Sequence, residues 1–283
     1  MSKLFGYLIV IGSVLGGFVL SHGELATLWQ PFELLIIGGA AFGAFVVSNP
    51  FYVVKEVFHD VGRMFLGRRY GRVLYMDLLS LLYELFNKAR RNGLMSIEED
   101  VEDPKASDIF ERYPRVTSEP ILLEFICDYL RIISSGNLSA FELETLMDQD
   151  IETSFQEAEH PAHALSRVSD ALPGFGIVAA VLGIVITMKS LGGPPEELGM
   201  HVAAALVGTF LGVLLAYGFV GPMSDAMAHS AKERVKALDC IKTSLLAMLN
   251  GIPPQLAVEF GRKTLFSSER PSFSELEEHL RSR

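Results

Sequence analysis

The chain has 283 residues, 49% of them hydrophobic, a mean hydropathy of +0.32 and a formal net charge of −10. That length can bury a good soluble core, but the apolar residues stand in blocks, which excludes the pattern of an ordinary water-soluble domain. The acidic excess is concentrated in residues 49–167, with 21 acids against 13 bases, and argues against nucleic acid as a partner and against adhesion to an anionic membrane surface.

Leu4–Leu20 is the first apolar block and follows Lys3. A signal peptide is the competing reading, but its core is usually about 7–15 residues; this one has 17, and a second block follows within a dozen residues. That second block, Phe32–Val47, carries only Glu33, at its edge. Leu172–Met188 and Val202–Val220 have no charge. At about 1.5 Å rise per residue the four blocks reach roughly 24–29 Å, close to the ~30 Å hydrocarbon thickness. They predict four membrane helices embedded in lipid.

Basic residues set the orientation. Thirteen of the 24 Lys and Arg lie in 49–167 and nine in 223–283; Lys3 and Lys189 are the others. Lys55, Arg63, Arg68, Arg69 and Arg72 follow the second block closely. The positive-inside rule then places both termini and the large loop in the cytoplasm.

Between the second and third blocks the chain reads as helix, with no convincing alternation of period two. "RVLYMDLLSLLYELFNKARRNG" (72–93) ends in Lys88, Arg90, Arg91 and Gly93, a cationic last turn followed by a stop. "SIEED" (96–100) has a capping-box pattern. "SEPILLEFICDYLRIISSG" (118–136) predicts a helix capped by Ser118, with Pro120 in its first turn. Ser139 with Glu142 starts another, expected to run to about Glu159 and to break or restart near Pro161. Beyond the fourth block the helix is expected to continue out of the membrane to Gly251, followed by a short helix from Gln255 and a last one after Ser272. The fold class is therefore all-α. Four spans feed a cytoplasmic helical domain, divided as 1–48 (spans one and two), 49–167 (loop domain), 168–222 (spans three and four) and 223–283 (tail). Cys127 and Cys240 read as ordinary buried thiols, with neither a disulfide framework nor a metal site.

Pro173, Gly176, Ala180, Gly183 and Thr187 place small or hydroxyl residues along one face of the third span. Ala205, Thr209, Gly212 and Ala216 repeat the device in the fourth, where Gly208 and Gly212 form a GxxxG. Such faces let helices approach closely, because lipid offers no hydrophobic drive for association. Packing within one subunit is one reading, and it also serves for Gly12–Gly16 and Gly39–Gly43; a socket for a helix of another chain is the other. Proton paths need intramembrane carboxylates, His or Lys. Here Glu33, Asp170 and His201 lie at the edges of spans and the middles are empty, so a titrating group must come from a companion chain. Pro173 and Pro222 bracket the inner ends of spans three and four; each is either a tolerated kink or span end, or a joint between the membrane and the cytoplasmic helices.

"ALVGTFLGVLLAYGFVGP" (205–222) and "DALPGFGIVAAVLGIV" (170–185) resemble signatures of the MotA/PomA family of flagellar stator subunits, in the MotA/TolQ/ExbB superfamily. "YMDLLSLLYEL", "FELETLMDQDIE" and the tail "AVEFGRKTLFSSERPSF" extend the resemblance over nearly the whole chain. The resemblance implies a homopentameric ring around a MotB dimer, whose membrane aspartate carries protons and whose far end is anchored to peptidoglycan, in the bacterial cytoplasmic membrane. Ion flow would turn the ring and push on the rotor protein FliG. It assigns ion path and coupling to Pro173, Pro222, Ala180, Thr209, Gly176 and Asp170, and rotor contact to Arg90 and Glu98 with Arg91 and Glu99 as helpers. From the residues alone, these four charges read as helix-terminus charges beside Gly93. Sodium-type members carry Thr where this chain has Ala180, which offers no oxygen to an ion; H+ is therefore expected and Na+ is the less favoured ion. Gly174 stands where relatives commonly have Ala. No cofactor or metal is expected. An ExbB/TolQ-like energiser is the alternative within the superfamily, with three spans and no such tail; a non-conducting membrane scaffold is the alternative outside it. No nucleophile–base pair, zinc motif or phosphate loop marks an enzyme.

Overall fold

A chain that buries its backbone in an apolar medium must close its N–H and C=O groups locally, and helix is the form that does so within one segment. The computed structural model, which describes residues 2–64, 70–136, 138–188, 192 and 194–281, is built of helices, with no strand among the described residues. In chain order they are α1 (Ser2–Leu20), α2 (Leu25–Leu28), α3 (Pro31–Ser48), α4 (Phe51–Met64), α5 (Arg72–Asn92), a 3-10 turn (Leu94–Ile97), α6 (Glu98–Glu102), α7 (Asp108–Glu111), α8 (Pro114–Thr117), α9 (Pro120–Ser135), α10 (Ala140–Thr187), α11 (Pro195–Leu215), a π segment (Ala216–Val220), α12 (Gly221–Leu249), α13 (Pro254–Thr264) and α14 (Phe273–Arg281). Four of these helical stretches are long and apolar enough to cross a membrane. Arg68, Arg69 and Lys189, which bear on orientation, lie outside the described residues.

The chain divides into two compact units. The first comprises Met1–Gly67 and Glu157–His229. Ile37, Ala41, Leu172, Ala179 and Ala216 form one of its cores, joining α3, α10 and the π segment. Phe45, Val53, Val54, Val57, Ala162, Ala164, Leu165 and Met227 form another under α4. α1 makes little of either: no residue of its apolar window is buried. Its glycines Gly12 and Gly16, like Gly39 and Gly43 of α3, face no atom of the described residues within 4 Å of where a Cβ would stand. Packing inside one subunit therefore does not account for those two glycine pairs.

The second unit comprises Arg68–Gln156 and Ser230–Arg283. α5 is its axis, with Leu78, Leu79, Leu81, Leu82, Leu85 and Phe86 fully buried. The Tyr75 hydroxyl donates to the Glu233 carbonyl at 3.2 Å, tying α5 to α12. Gly93 (φ 87°) and Gly136 (φ 68°) end α5 and α9 with a backbone that favours glycine. Ser139 and Glu142 form the predicted capping box, with the Ser139 amide donating to Glu142 at 2.9 Å and the Glu142 amide to Ser139 Oγ at 3.3 Å.

Three local expectations are corrected. Ser96 does not cap α6: it sits inside the 3-10 turn, and its hydroxyl donates back to the carbonyls of Gly93 and Lys88 at 2.7 and 3.2 Å. Ser118 does not cap α9: Glu119 holds that position, and the Ser118 hydroxyl donates to Pro114 at 2.6 Å to close α8. The helix beginning after Ser139 does not stop near Pro161 but runs unbroken to Thr187, with Pro161 and Pro173 inside. An interior proline costs about 3 kcal/mol in an exposed helix. Here the turn after Pro161 is held by burial of Ala162, Ala164 and Leu165 and by Ser224, whose hydroxyl donates to the Ala162 carbonyl at 2.8 Å.

Candidate functional site

The small residues of the third and fourth apolar blocks meet each other. A Cβ on Gly176 would lie 2.9 Å from the Gly208 carbonyl oxygen, 3.2 Å from Gly212 Cα and 3.3 Å from Thr209 Cα. One on Gly212 would lie 2.7 Å from the Leu172 carbonyl oxygen, and one on Gly183 would lie 2.9 Å from Ala205 Cβ. α10 and α11 thus touch backbone to backbone along a seam, and the hydrogen side chain is what permits it. Of the two readings of these faces, packing within one subunit and a socket for a foreign helix, the geometry is that of the first: two complementary small faces on consecutive spans satisfy each other. Ala180 is buried in this seam, beside Gly208. Thr209 follows Gly208 and is half-buried. The outward face of α10 carries Ile177, Val181, Ile184 and Val185, all exposed.

At its C-terminal end, the fourth block does not stay α-helical. Ala216–Val220 widens into a π segment just before Pro222, a feature absent from the sequence expectations. Such bulges leave carbonyls open to other donors, and the Ser169 hydroxyl donates to the Ala216 carbonyl at 3.0 Å. Tyr7 of α1 stacks on Phe219 of the segment, centroids 5.4 Å apart, and donates to its carbonyl at 3.3 Å. Pro222 is exposed, on the wall of a cleft of about 300 Å³ that Lys3, Tyr7, Val10 and Gly218 also line. Pro173 is half-buried and Asp170 is exposed, one residue after Ser169. Tyr7 and Ser169 carry no sequence signal beyond a polar atom at the rim of an apolar block.

Glu33 departs from its expected place. It is only 9% exposed, and its Oε2 has no hydrogen-bond partner among the described residues. That oxygen would lie 3.2 Å from a Cβ on Gly208, against the same seam that holds Ala180. Gly208 is about two turns inside the fourth block and Ala180 about two turns inside the third. An acid at the edge by sequence reaches well inward in space.

In the second unit, Arg90 and Arg91 lie in the last turn of α5, and Glu98 and Glu99 open α6. All four are exposed, and none forms an ion pair among the described residues. Their neighbours are committed: Asp100 is buried, receives Lys88 at 2.6 Å and accepts the Ser107 hydroxyl at 2.7 Å. The Asp100 cluster fixes α6 against the end of α5, leaving two cations and two acids free on adjoining turns.

Two family models match the chain: "Motility protein A N-terminal" over residues 4–93 and the "MotA/TolQ/ExbB proton channel family" over residues 119–239. Motility protein A of Salmonella typhimurium is 52% identical over all of this chain and 96% of its own length. Motility protein A of Escherichia coli is 50% identical with the same coverage. Among solved structures, the C. jejuni MotAB complex aligns with a TM-score of 0.80 at 19% identity, covering 96% of this chain and 98% of that one. The flagellar MotAB stator complex from Bacillus subtilis aligns at 0.76 and 22%, covering 97% of each chain. The chain belongs to the motility protein A family, within the MotA/TolQ/ExbB proton channel proteins, and is a multi-pass membrane subunit of the flagellar stator.

Proposed function

We propose that five copies of this chain form a ring in the bacterial cytoplasmic membrane, with both termini inside, around the membrane helices of a MotB companion. Protons reach the companion's aspartate along the wall made by α10 and α11, and the ring turns as that aspartate is loaded and emptied. The observation that carries this reading is the seam itself: it is built from Gly, Ala and Thr, with no titratable side chain of its own. A wall of that kind guides an ion that another chain binds. Ala180 presents no oxygen where a hydroxyl would stand in for water around sodium, which favours H+; Thr209 and Gly176 line the same seam. Pro173 and Pro222, beside Ser169, Asp170 and the π segment, serve as joints where the wall's movement passes into α10 and α12. Arg90, Glu98, Arg91 and Glu99 are the charges that meet the rotor protein FliG.

Co-expression with the cognate MotB in a cell lacking stators tests the reading. Swimming is expected to return, with speed that follows proton-motive force and ignores external sodium. Absence of rescue, with both proteins assembled in the membrane, would overturn the proposed coupling of proton flow to rotation of the ring. Sodium-dependent speed would overturn the Ala180 argument alone.

A further inference from the structure

Acids in the first turn of a helix are common, because the free N–H groups and the helix dipole favour them. Glu33 occupies such a position in α3, yet its buried Oε2 takes no donor from that turn. The oxygen lies instead against Gly208, where a side chain larger than hydrogen would crowd it at 3.2 Å, and Ala180 N stands 3.4 Å from the same point. None of the titratable groups on the elements packed around it supplies a donor to Oε2: His201, Glu196 and Glu197 of α11, Asp170 of α10, Glu24 before α2, or the charges of α4 at the far end of α3. A buried carboxyl oxygen without a partner is expensive in an apolar medium, and ionisable groups so placed are rare and tend to mark proton paths. The group needs a proton or a donor from outside the chain.

We propose that Glu33 is a second proton-carrying carboxyl of the stator, set on the outer half of the seam and handing its proton to the companion's aspartate. The step moves a proton and no electrons. Hydronium on the outer side gives its proton to the Glu33 carboxylate and leaves as water, the neutral acid gives that proton to the companion's carboxylate, and Glu33 is left as the anion to be reloaded. Gly208 is the residue that makes room for it. This inference rests on the proton-conducting reading above.

The test uses the complete complex with MotB, reconstituted in vesicles, with wild type, Glu33→Gln and Glu33→Asp compared. Gln keeps size and hydrogen bonding but cannot titrate; Asp titrates but is one methylene shorter. Proton uptake under an imposed pH gradient is expected to fall by about tenfold or more in Glu33→Gln and to recover in part in Glu33→Asp, with the subunit ratio unchanged. Infrared difference spectra between high and low pH are expected to show a carboxylic C=O band that Gln removes and Asp displaces. Wild-type uptake in Glu33→Gln, or a band common to all three proteins, overturns the proposal and leaves Glu33 as a packing group held by a donor from the companion. Absence of uptake in the wild type itself sinks the conducting reading instead, while the infrared band still reports whether Glu33 titrates.

Discussion

Ser272, Glu275 and Arg72 show how much a single terminus can hold. The Ser272 amide and hydroxyl, and then the Arg72 guanidinium, donate to the Glu275 carboxylate and hold it down to about 2 from an ordinary 4.5. A carboxyl depressed in the folded state adds stability that is complete above pH 4.5 and is lost as pH falls toward 2. Glu275→Gln is accordingly expected to flatten the loss of thermal stability of the detergent-solubilised protein across that window, as followed by its melting temperature. Cys127 is the opposite case: burial pushes its thiol up to about 12. The thiolate is the reactive form, so maleimide labelling of Cys127 is expected to be negligible in the native protein at neutral pH and complete after denaturation. Cys127 is the buried thiol that the sequence led one to expect, and Ser272–Glu275 is a local pattern at the start of the last expected helix. Asp100 is different: nothing in "SIEED" says that its last acid will be buried under Lys88 and Ser107.

Helix ends that depend on near neighbours in the chain fall where the sequence puts them, as at Gly93, Gly136 and Ser139. Ser96 and Ser118 do not, since each spends its hydroxyl on the preceding turn. Pro161 fails as a stop because burial of the residues after it outweighs the proline penalty. The α10–α11 seam is the strongest element-level feature. Gly176→Val and Gly212→Val each force side-chain atoms onto backbone, and overpacking of that kind costs about 1–3 kcal/mol or more. Both are expected to lower the thermal stability of the solubilised protein, whereas Gly12→Val, which meets nothing within 4 Å, is expected to leave it unchanged. If Gly12→Val nevertheless blocks assembly of the complete complex, its glycine face belongs to a contact with another chain.

The molecule as a whole keeps two kinds of chemistry in two compact units. The unit with α10 and α11 carries the small-residue seam, and the unit with α5 and α6 carries the unpaired charges. Arg90→Glu combined with Glu98→Lys is therefore expected to reduce swimming torque strongly while proton uptake by the reconstituted complex stays within about twofold of wild type, as surface changes away from buried groups do little to a fold. A collapse of uptake would remove these residues from the rotor contact and place them in the conducting machinery.

Block length, charge placement and small-residue spacing are one-dimensional properties, and from them the sequence by itself determined four spans, an all-helical fold and the faces on which the spans are narrow. Proximity across the fold is not written in that way. That the two narrow faces close on each other, that Ala216–Val220 widens under Ser169 and Tyr7, and that Glu33 reaches inward to Gly208 were decided by packing. A side chain of Glu's length can lie in water or along a neighbouring helix with equal local ease, and only the shape of the neighbour chooses between them.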